Sequence, residues 1–399
     1  MSDDSPDTPA SVTADVVVVG GGIGGLAAAF ALRRGGHHVR LLEQAAEFGE
    51  VGAGLQLAPN ATRVLAEWGL LDEVMATGVL PRRLVLRDAV TGDELTHLNV
   101  RGDFQRRYGA PYIVAHRTDL HRILLDACRD SGVVLETGRI AQRVETIGDA
   151  AVTYCADGSV HRSAVALGVD GLNSTLRRGV VDDEPVDSGY VAYRGTLPAE
   201  AATVDVAVDD MVIWIGPGRH FVQYALRRGE IVNQVAVFRS PAFARGEPEW
   251  GTPGELDAAF ADSCEHITKS LLSMWRDRWW PMYDRAPIDR WTQGRLILLG
   301  DAAHPMLQYL AQGACQAIQD AHNLAAQVAD HTRGSQRVDW PAALEATERL
   351  RAPHAARVQN AARLWGDIWH VDGVGRLIRN ELLTTRDPQD YRHIDWLYA

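Results

Sequence analysis

The sequence predicts an α/β fold: a parallel sheet covered by helices, an inserted α+β unit built on an antiparallel sheet, and a helical C-terminal region. Three observations carry this. A β-branched run, 16–19, enters Gly20-Gly21-Gly22-Ile23-Gly24-Gly25 and then an Ala/Leu-rich stretch to Arg34, which reads as strand, tight turn and helix. From about Gly189 to Phe238 the pattern becomes period-two and rich in Val, Tyr and Trp, with turn signals at 216–218 and 227–229, as an antiparallel sheet requires. From Trp340 to Ala399 apolar residues recur at helical spacing.

The remaining elements follow in order. Val39-Arg40-Leu41-Leu42 is a second strand ending at Glu43, and it completes a βαβ unit. Helical periodicity returns over 60–74 and 119–129. Between them, 81–108 is more polar, alternates at Leu84-Val85-Leu86 and carries a Thr91-Gly92-Asp93 turn, so a small antiparallel excursion is expected. A Trp-rich stretch, 254–280, is expected to be helical, and Arg295-Leu296-Ile297-Leu298-Leu299 is a strand running into Gly300-Asp301. The expected division is a disordered lead, 1–14; one domain from 15–78, 112–182 and 293–335; a second from 79–111 and 183–292; and a C-terminal region, 336–399.

Composition narrows the function. With 40 basic and 52 acidic residues the formal charge is −12, which disfavours nucleic acid and anionic lipid as partners. No apolar run approaches the ~18 residues that span a bilayer, so integral membrane association is not expected. The acidic lead lacks the basic flank and apolar stretch of a secretory signal. Four dispersed cysteines, Cys128, Cys155, Cys264 and Cys315, are expected to be free thiols in a cytoplasmic protein and form no metal-binding pattern.

The glycine run carries the first chemistry. Gly20 permits the turn, Gly22 lets the backbone approach a pyrophosphate, and Gly25 lets helix and strand pack closely, with Ile23 at the helix start. Helix N–H groups face the pyrophosphate, and Glu43, eighteen residues after Gly25, can accept from ribose hydroxyls. An acid there disfavours a ribose phosphate. A second strand-to-helix passage, Gly300-Asp301-Ala302-Ala303-His304-Pro305, and a middle segment, Gly168-Val169-Asp170-Gly171-Leu172-Asn173-Ser174 ending in Arg177, complete a three-part pattern.

With these three segments the chain resembles the single-component FAD-dependent aromatic hydroxylases from Asp15 onward. Within that family it is most similar to the branch acting on 3-hydroxybenzoate and salicylate. The segments carrying the likeness are 47–56, Tyr112 before His116-Arg117-Thr118-Asp119, His220-Phe221-Val222-Gln223-Tyr224, 279–284, Leu307-Gln308-Tyr309 and 395–398. The resemblance implies a Rossmann-like FAD-binding domain with an inserted substrate domain. It implies that Glu43 holds the adenosine ribose, Arg117 lies near the flavin phosphates or ribityl chain, and Asp301 binds the ribityl and pyrophosphate region. Gly54, the backbone after Pro305, and Gly313 border the ring. Where many relatives read Q-G-x-N-x-A-x-E-D, this chain has Cys315 and Gln319 in place of Asn and Glu, a departure that bears on one flavin-edge contact.

The implied activity is NADH- and O2-dependent hydroxylation of a phenolic acid through a flavin hydroperoxide, 3-hydroxybenzoate to 2,5-dihydroxybenzoate. Decarboxylating salicylate hydroxylation is the near alternative, and a redox sensor that binds FAD without turnover is the alternative of another class. A homodimer is expected. Removing the phenolic proton activates the ring, and histidine suits that task. His220 is the candidate base, in a strand of alternating exposure that puts His220, Val222 and Tyr224 on one face. Tyr224 joins that cavity, Gln308 hydrogen-bonds the phenolic oxygen, and Tyr112 donates to a carboxylate or lines the wall. Arg194 reads as an exposed or ion-paired strand arginine, His304 as a residue that shapes its turn, and Arg33-Arg34 and Arg106-Arg107 as surface charge. The tryptophans around 275–291 and in the tail read as core or interface packing.

Overall fold

The computed structural model describes residues 12–49, 52–202, 204, 208–333 and 337–399. Residues 1–11 of the expected lead, and Glu50 and Val51 of the 47–56 segment, lie outside the described residues. Two large sheets organise the chain. In the first, Leu296–Leu298, Val160–Gly168, Val12–Val19, Val39–Leu42 and Val134–Glu136 run parallel in that spatial order. The first strand starts at Val12, ahead of the expected Asp15, because it continues its ladder with His161. Val16, Val17 and Val18 are fully buried, which explains why they form an unbroken apolar run rather than an alternating one. The helix Ile23–Arg34 packs between Arg117–Ser131 and Gly313–Asp330.

The second sheet is ordered Trp280–Asp284, Val186–Pro198, Ile231–Arg239, Arg219–Leu226, Asp210–Gly216, Arg83–Asp88 and Glu94–Asn99. It is antiparallel except where Asp210–Gly216 meets Arg83–Asp88. The 81–108 excursion thus forms an edge of this sheet. Its two faces serve different cores. Tyr193, Trp214, Phe221, Ala236 and Phe238 face a smaller cluster covered by Pro253–Phe260 and Glu265–Ser270, whereas Ile215, Val222, Tyr224, Val235 and Val237 belong to the main core. This corrects one expectation. The strand carrying His220 does not alternate in exposure, since all eight of its residues are buried; the alternation survives only as a choice between two covered faces.

Two helical expectations are also revised. The 60–74 stretch is two helices, Pro59–Glu67 and Leu71–Thr77, separated at Gly69, whose φ of +77° is the left-handed conformation that ends a helix. The 254–280 stretch is helical only to Ser273: Pro253–Phe260 opens on a Thr252/Glu255 capping box, and Pro281 keeps Trp280 extended at the start of a strand. All four cysteines are free thiols. No helix among the described residues is long and apolar enough to cross a membrane.

Candidate active site

The glycine turn is shaped by contacts that only glycine allows. Gly20 has φ +111°, and a Cβ on it would lie 2.3 Å from the Val169 carbonyl oxygen; one on Gly25 would lie 1.8 Å from that of Gly20. Gly22 is the extended N-cap of Ile23–Arg34, with no side chain capping it, and Ile23 is buried beneath. Glu43 ends the second strand and accepts from the Gly21 N–H at 2.6 Å and the Ala45 N–H at 2.7 Å. An uncapped helix N-terminus beside a half-buried carboxylate suits a pyrophosphate and a ribose. These residues therefore fit a bound dinucleotide.

The middle segment holds the late one in place. Asp170 accepts from Ser174 Oγ at 2.5 Å and the Thr175 N–H at 2.8 Å, closing its turn. Arg177, fully buried, donates through one nitrogen to the carbonyls of Ala302 at 2.9 Å and Ala303 at 2.7 Å, and pairs with Asp183. Asp301 stays exposed, with its Oδ1 facing Gly313, the first residue of Gly313–Asp330, whose N-terminus no side chain caps. His304 Nε2 meets Asp320 at 2.6 Å, and Asp320 also accepts from Arg351 and the Gly300 N–H. That pairing ties His304 to the turn. The Pro305 carbonyl accepts from Gln359 at 2.9 Å.

On the sheet side, register assembles the second half of the site. Arg194 pairs with Val235, which pairs with Val222, and Tyr224 pairs with Asn233, so Arg194, His220, Val222, Tyr224 and Asn233 share one face. Asn233 Oδ1 accepts from the Gly54 N–H at 2.9 Å, and a Cβ on Gly54 would lie 2.4 Å from the Tyr224 hydroxyl. Gly54 is thus where the strand Gly54–Leu57 abuts the second sheet. Tyr112 is buried and donates to Gln56 on that same strand, so its hydroxyl already has a partner. Burial raises the phenol pKa of both Tyr112 and Tyr224, so both hydroxyls stay protonated. Arg117 starts the helix Arg117–Ser131, its N–H on the Ala53 carbonyl at 2.9 Å and its side chain exposed.

Arg194 requires a correction. It is neither exposed nor ion-paired: it is half-buried, donates to Gln308 Oε1 at 2.7 Å, and has no carboxylate within salt-bridge distance among the described residues. Burial lowers its pKa, Tyr224 acts in the opposite direction, and Arg117 adds a smaller lowering. His220 is buried, and its Nδ1 lies 2.9 Å from Nε2 of His370, a residue the sequence did not single out. Burial, then His370, pushes the His220 pKa well below its usual value, so the ring is neutral. Cys315 turns inward, its sulfur 3.4 Å from the Ala58 N–H and its thiol pushed up to about 12 by burial, while Gln319 accepts from Asn60 at 3.0 Å. The basic pairs are used internally. Arg33 and Arg34 bind carbonyls of Ser131, His37, Trp68 and Glu67, and Arg106 and Arg107 pair with Asp103 and Asp395. Trp291 is core and lies against His304, and Trp279 stacks on Tyr193.

The glycine turn and the sheet face of Arg194, His220 and Tyr224 are the two candidate halves of a site, and Gly54 abuts the second of them. The FAD binding domain family matches residues 13–362. The chain belongs to that family. Its relatives make it a flavoprotein aromatic monooxygenase: it is 37% identical to the 3-hydroxybenzoate 6-hydroxylase of Polaromonas naphthalenivorans, over 100% of this chain and 98% of that one. It is 38% identical to the 3-amino-4-hydroxybenzoate 2-monooxygenase of Streptomyces cremeus, over 96% and 94%. Among solved structures, Klebsiella pneumoniae HpxO complexed with FAD and uric acid superposes with a TM-score of 0.82 at 26% identity, covering 96% of this chain and 95% of that one.

Proposed function

We propose that the protein hydroxylates a phenolic aromatic acid with NADH and O2, converting 3-hydroxybenzoate to 2,5-dihydroxybenzoate. Bound FAD supplies the chemistry that takes electrons from NADH and delivers one oxygen atom of O2 to the ring. The observation that carries the reading is Arg194, a half-buried cation held by Gln308 without an acidic partner among the described residues, on the same sheet face as the neutral ring of His220. Strand spacings put the two Cα atoms about 12 Å apart on that face. Arg194 binds the carboxylate. His220 Nε2 meets the phenolic oxygen, Gln308 is placed to donate to the substrate while its carbonyl faces Arg194, and Tyr224 and Tyr112 wall the ring. Ionising the phenol raises electron density at the para carbon, and the covered sheet keeps water from the reacting ring.

Glu43, the glycine turn, Arg117, Asp301, Pro305 and Gly313 form the FAD side of this reading. Membership of the two sheets supports an FAD-binding domain of 15–78, 112–182 and 293–335, a substrate domain of 79–111 and 183–292, and a C-terminal region of 336–399. Free thiols support a cytoplasmic setting. An apolar stripe on Gly373–Thr384 supports a homodimer.

The test is NADH oxidation by the purified holoenzyme with 3-hydroxybenzoate, salicylate, 3-amino-4-hydroxybenzoate or no aromatic acid, with products and peroxide followed in parallel. The expected result is stimulated oxidation by 3-hydroxybenzoate, 2,5-dihydroxybenzoate as product and little peroxide. The 38% identity to a 3-amino-4-hydroxybenzoate enzyme favours that acid as the second reading. Stoichiometric carbon dioxide from salicylate points to decarboxylating hydroxylation, and FAD binding without NADH turnover under any of these acids points to a redox sensor.

A further inference from the structure

A glycine inside a helix weakens it relative to alanine, and has a use there where a neighbour must come closer than a Cβ allows. Gly366 is such a residue. It is buried in the long helix Trp340–His370, and a Cβ on it would lie 2.6, 2.8 and 2.8 Å from Cε2, Cδ2 and Cζ of Tyr309. Carbon atoms in ordinary contact stand about 3.5–4 Å apart. The Tyr309 ring therefore rests on the helix backbone itself at this point.

That ring is hemmed in on its other sides. It is buried, and its centroid lies 5.4 Å from that of His220, 5.5 Å from that of His370 and 5.7 Å from that of Trp369. Tyr309 is also the middle residue of the turn Gln308–Leu310, which Ala311 closes with its N–H on the Gln308 carbonyl at 2.9 Å and a φ of +52°. Alanine is disfavoured in that left-handed region, so the surroundings hold the turn in shape. Gln308, one peptide bond from Tyr309, carries the amide oxygen that accepts from Arg194 at 2.7 Å. One ring thus joins the long helix to both sides of the candidate site, to His220 by direct packing and to Arg194 through Gln308.

We propose that Tyr309, seated on Gly366, sets the spacing between the Arg194–Gln308 pair and the His220 ring, and so determines which hydroxybenzoate fits. This rests on the reading that Arg194 takes the carboxylate and His220 the phenolic oxygen. The two ends of a rigid aromatic acid demand one spacing of the cation and the imidazole, and 4-hydroxybenzoate holds its polar groups further apart than 3-hydroxybenzoate does. A methyl group on residue 366 would push the ring by roughly 1 Å, and Gln308 and His220 with it. Tyr309 and Gly366 act through those two residues and are positioning residues.

The test is a double-variant cycle on the holoenzyme, Gly366→Ala, Tyr309→Leu and both together. Gly366→Ala is expected to retain FAD and to lower Tm by about 2–6 °C, because the added methyl and the ring overlap. With Tyr309→Leu in place the same change is expected to raise Tm by about 1–2 °C, since alanine is the better helix residue and no ring opposes it. Gly366→Ala alone raises the Kd for 3-hydroxybenzoate about tenfold and lowers kcat about tenfold to a hundredfold, as a misplacement near 1 Å does. The Kd for 4-hydroxybenzoate stays within about threefold. Added to Tyr309→Leu, it changes Kd and kcat less than about twofold. Tyr309→Phe, which keeps the ring, restores most of what Tyr309→Leu loses. Unchanged Kd and kcat in Gly366→Ala overturn the proposal. So does an equal loss in both backgrounds, which puts the effect in the helix, or an equal loss for both hydroxybenzoates, which leaves the seat without a part in specificity. If Gly366→Ala does not retain FAD, Tyr309→Leu decides, and normal Kd and kcat there overturn the proposal. The substrate reading fails separately, as an unsubstituted protein that 3-hydroxybenzoate does not stimulate; the reversal in Tm then still tests the seat, and the kinetic comparison is made with the acid that does stimulate.

Discussion

At the residue scale, Arg194 shows how an ordinary side chain becomes specific by what it lacks. A half-buried guanidinium held by one glutamine has lost part of its water and gained no acid among the described residues. An incoming carboxylate supplies the missing partner, and a hydrogen bond to a charged group is worth about 1.5–3 kcal/mol. Arg194→Gln is expected to raise KM for 3-hydroxybenzoate about tenfold to a hundredfold, with a smaller change in kcat. With a phenol that carries no carboxylate the variant and the unsubstituted protein are expected to behave alike. Equal KM shifts for both ligands would remove Arg194 from the carboxylate site. His220 and Tyr224 were legible because a strand repeats every two residues, and that period survived even though exposure did not alternate. Arg194 was misread because a strand arginine is ordinarily solvated or ion-paired, and its desolvation depends on Gln308, 114 residues away. His370 left no local signal at all: its partner is 150 residues distant, and its own helix is apolar by spacing alone.

At the element scale, three segments are locked by one carboxylate. Asp320, fully buried on Gly313–Asp330, accepts from His304, Arg351 and the Gly300 N–H, and so fixes the late turn against two helices. Burial pushes this carboxyl up, but nearby His304 and Arg351, with the hydrogen bonds from His304 and the Gly300 N–H, outweigh it and hold the pKa at about 2. A folded-state pKa below the unfolded value of about 3.9 gives stability that is present above pH 4 and lost as pH falls toward 2. The difference corresponds to about 2 kcal/mol. The pH dependence of unfolding free energy, measured by urea titration between pH 5 and 2, is expected to carry this loss. Asp320→Asn is expected to be less stable at pH 7 and to show a flatter acid limb; an unchanged limb would remove Asp320 as its source. The strand-turn-helix character of this segment was readable from its apolar run and glycine. The reason for its histidine was not, because Asp320 and Arg351 lie on helices that only the fold brings beside it.

At the scale of the whole molecule, the C-terminal region is fastened to the far edge of the second sheet by charge and turned outward by it. Asp88, fully buried at the end of its strand, accepts from Arg376 and Asn380 on Gly373–Thr384, as well as from the N–H groups of Val90 and Thr91. Pinning that polar side commits the other side of the helix to solvent. There Val374, Leu377, Ile378 and Leu382 are all more than half exposed, spaced as one stripe along three turns. A contiguous apolar stripe on a helix held this firmly is a cost to a monomer. A twofold pairing of the same helix from two copies buries it, since such an interface uses one patch on both subunits. Sedimentation velocity at micromolar concentration is therefore expected to show a dimer of the 43.7 kDa chain. Leu377→Glu with Ile378→Glu is expected to give a monomer of unchanged FAD content, because neither residue points toward Asp88 or the flavin cradle. A monomer before substitution would mean that the stripe does not pair two copies of this chain. A dimer that survives both substitutions would place the interface on another face.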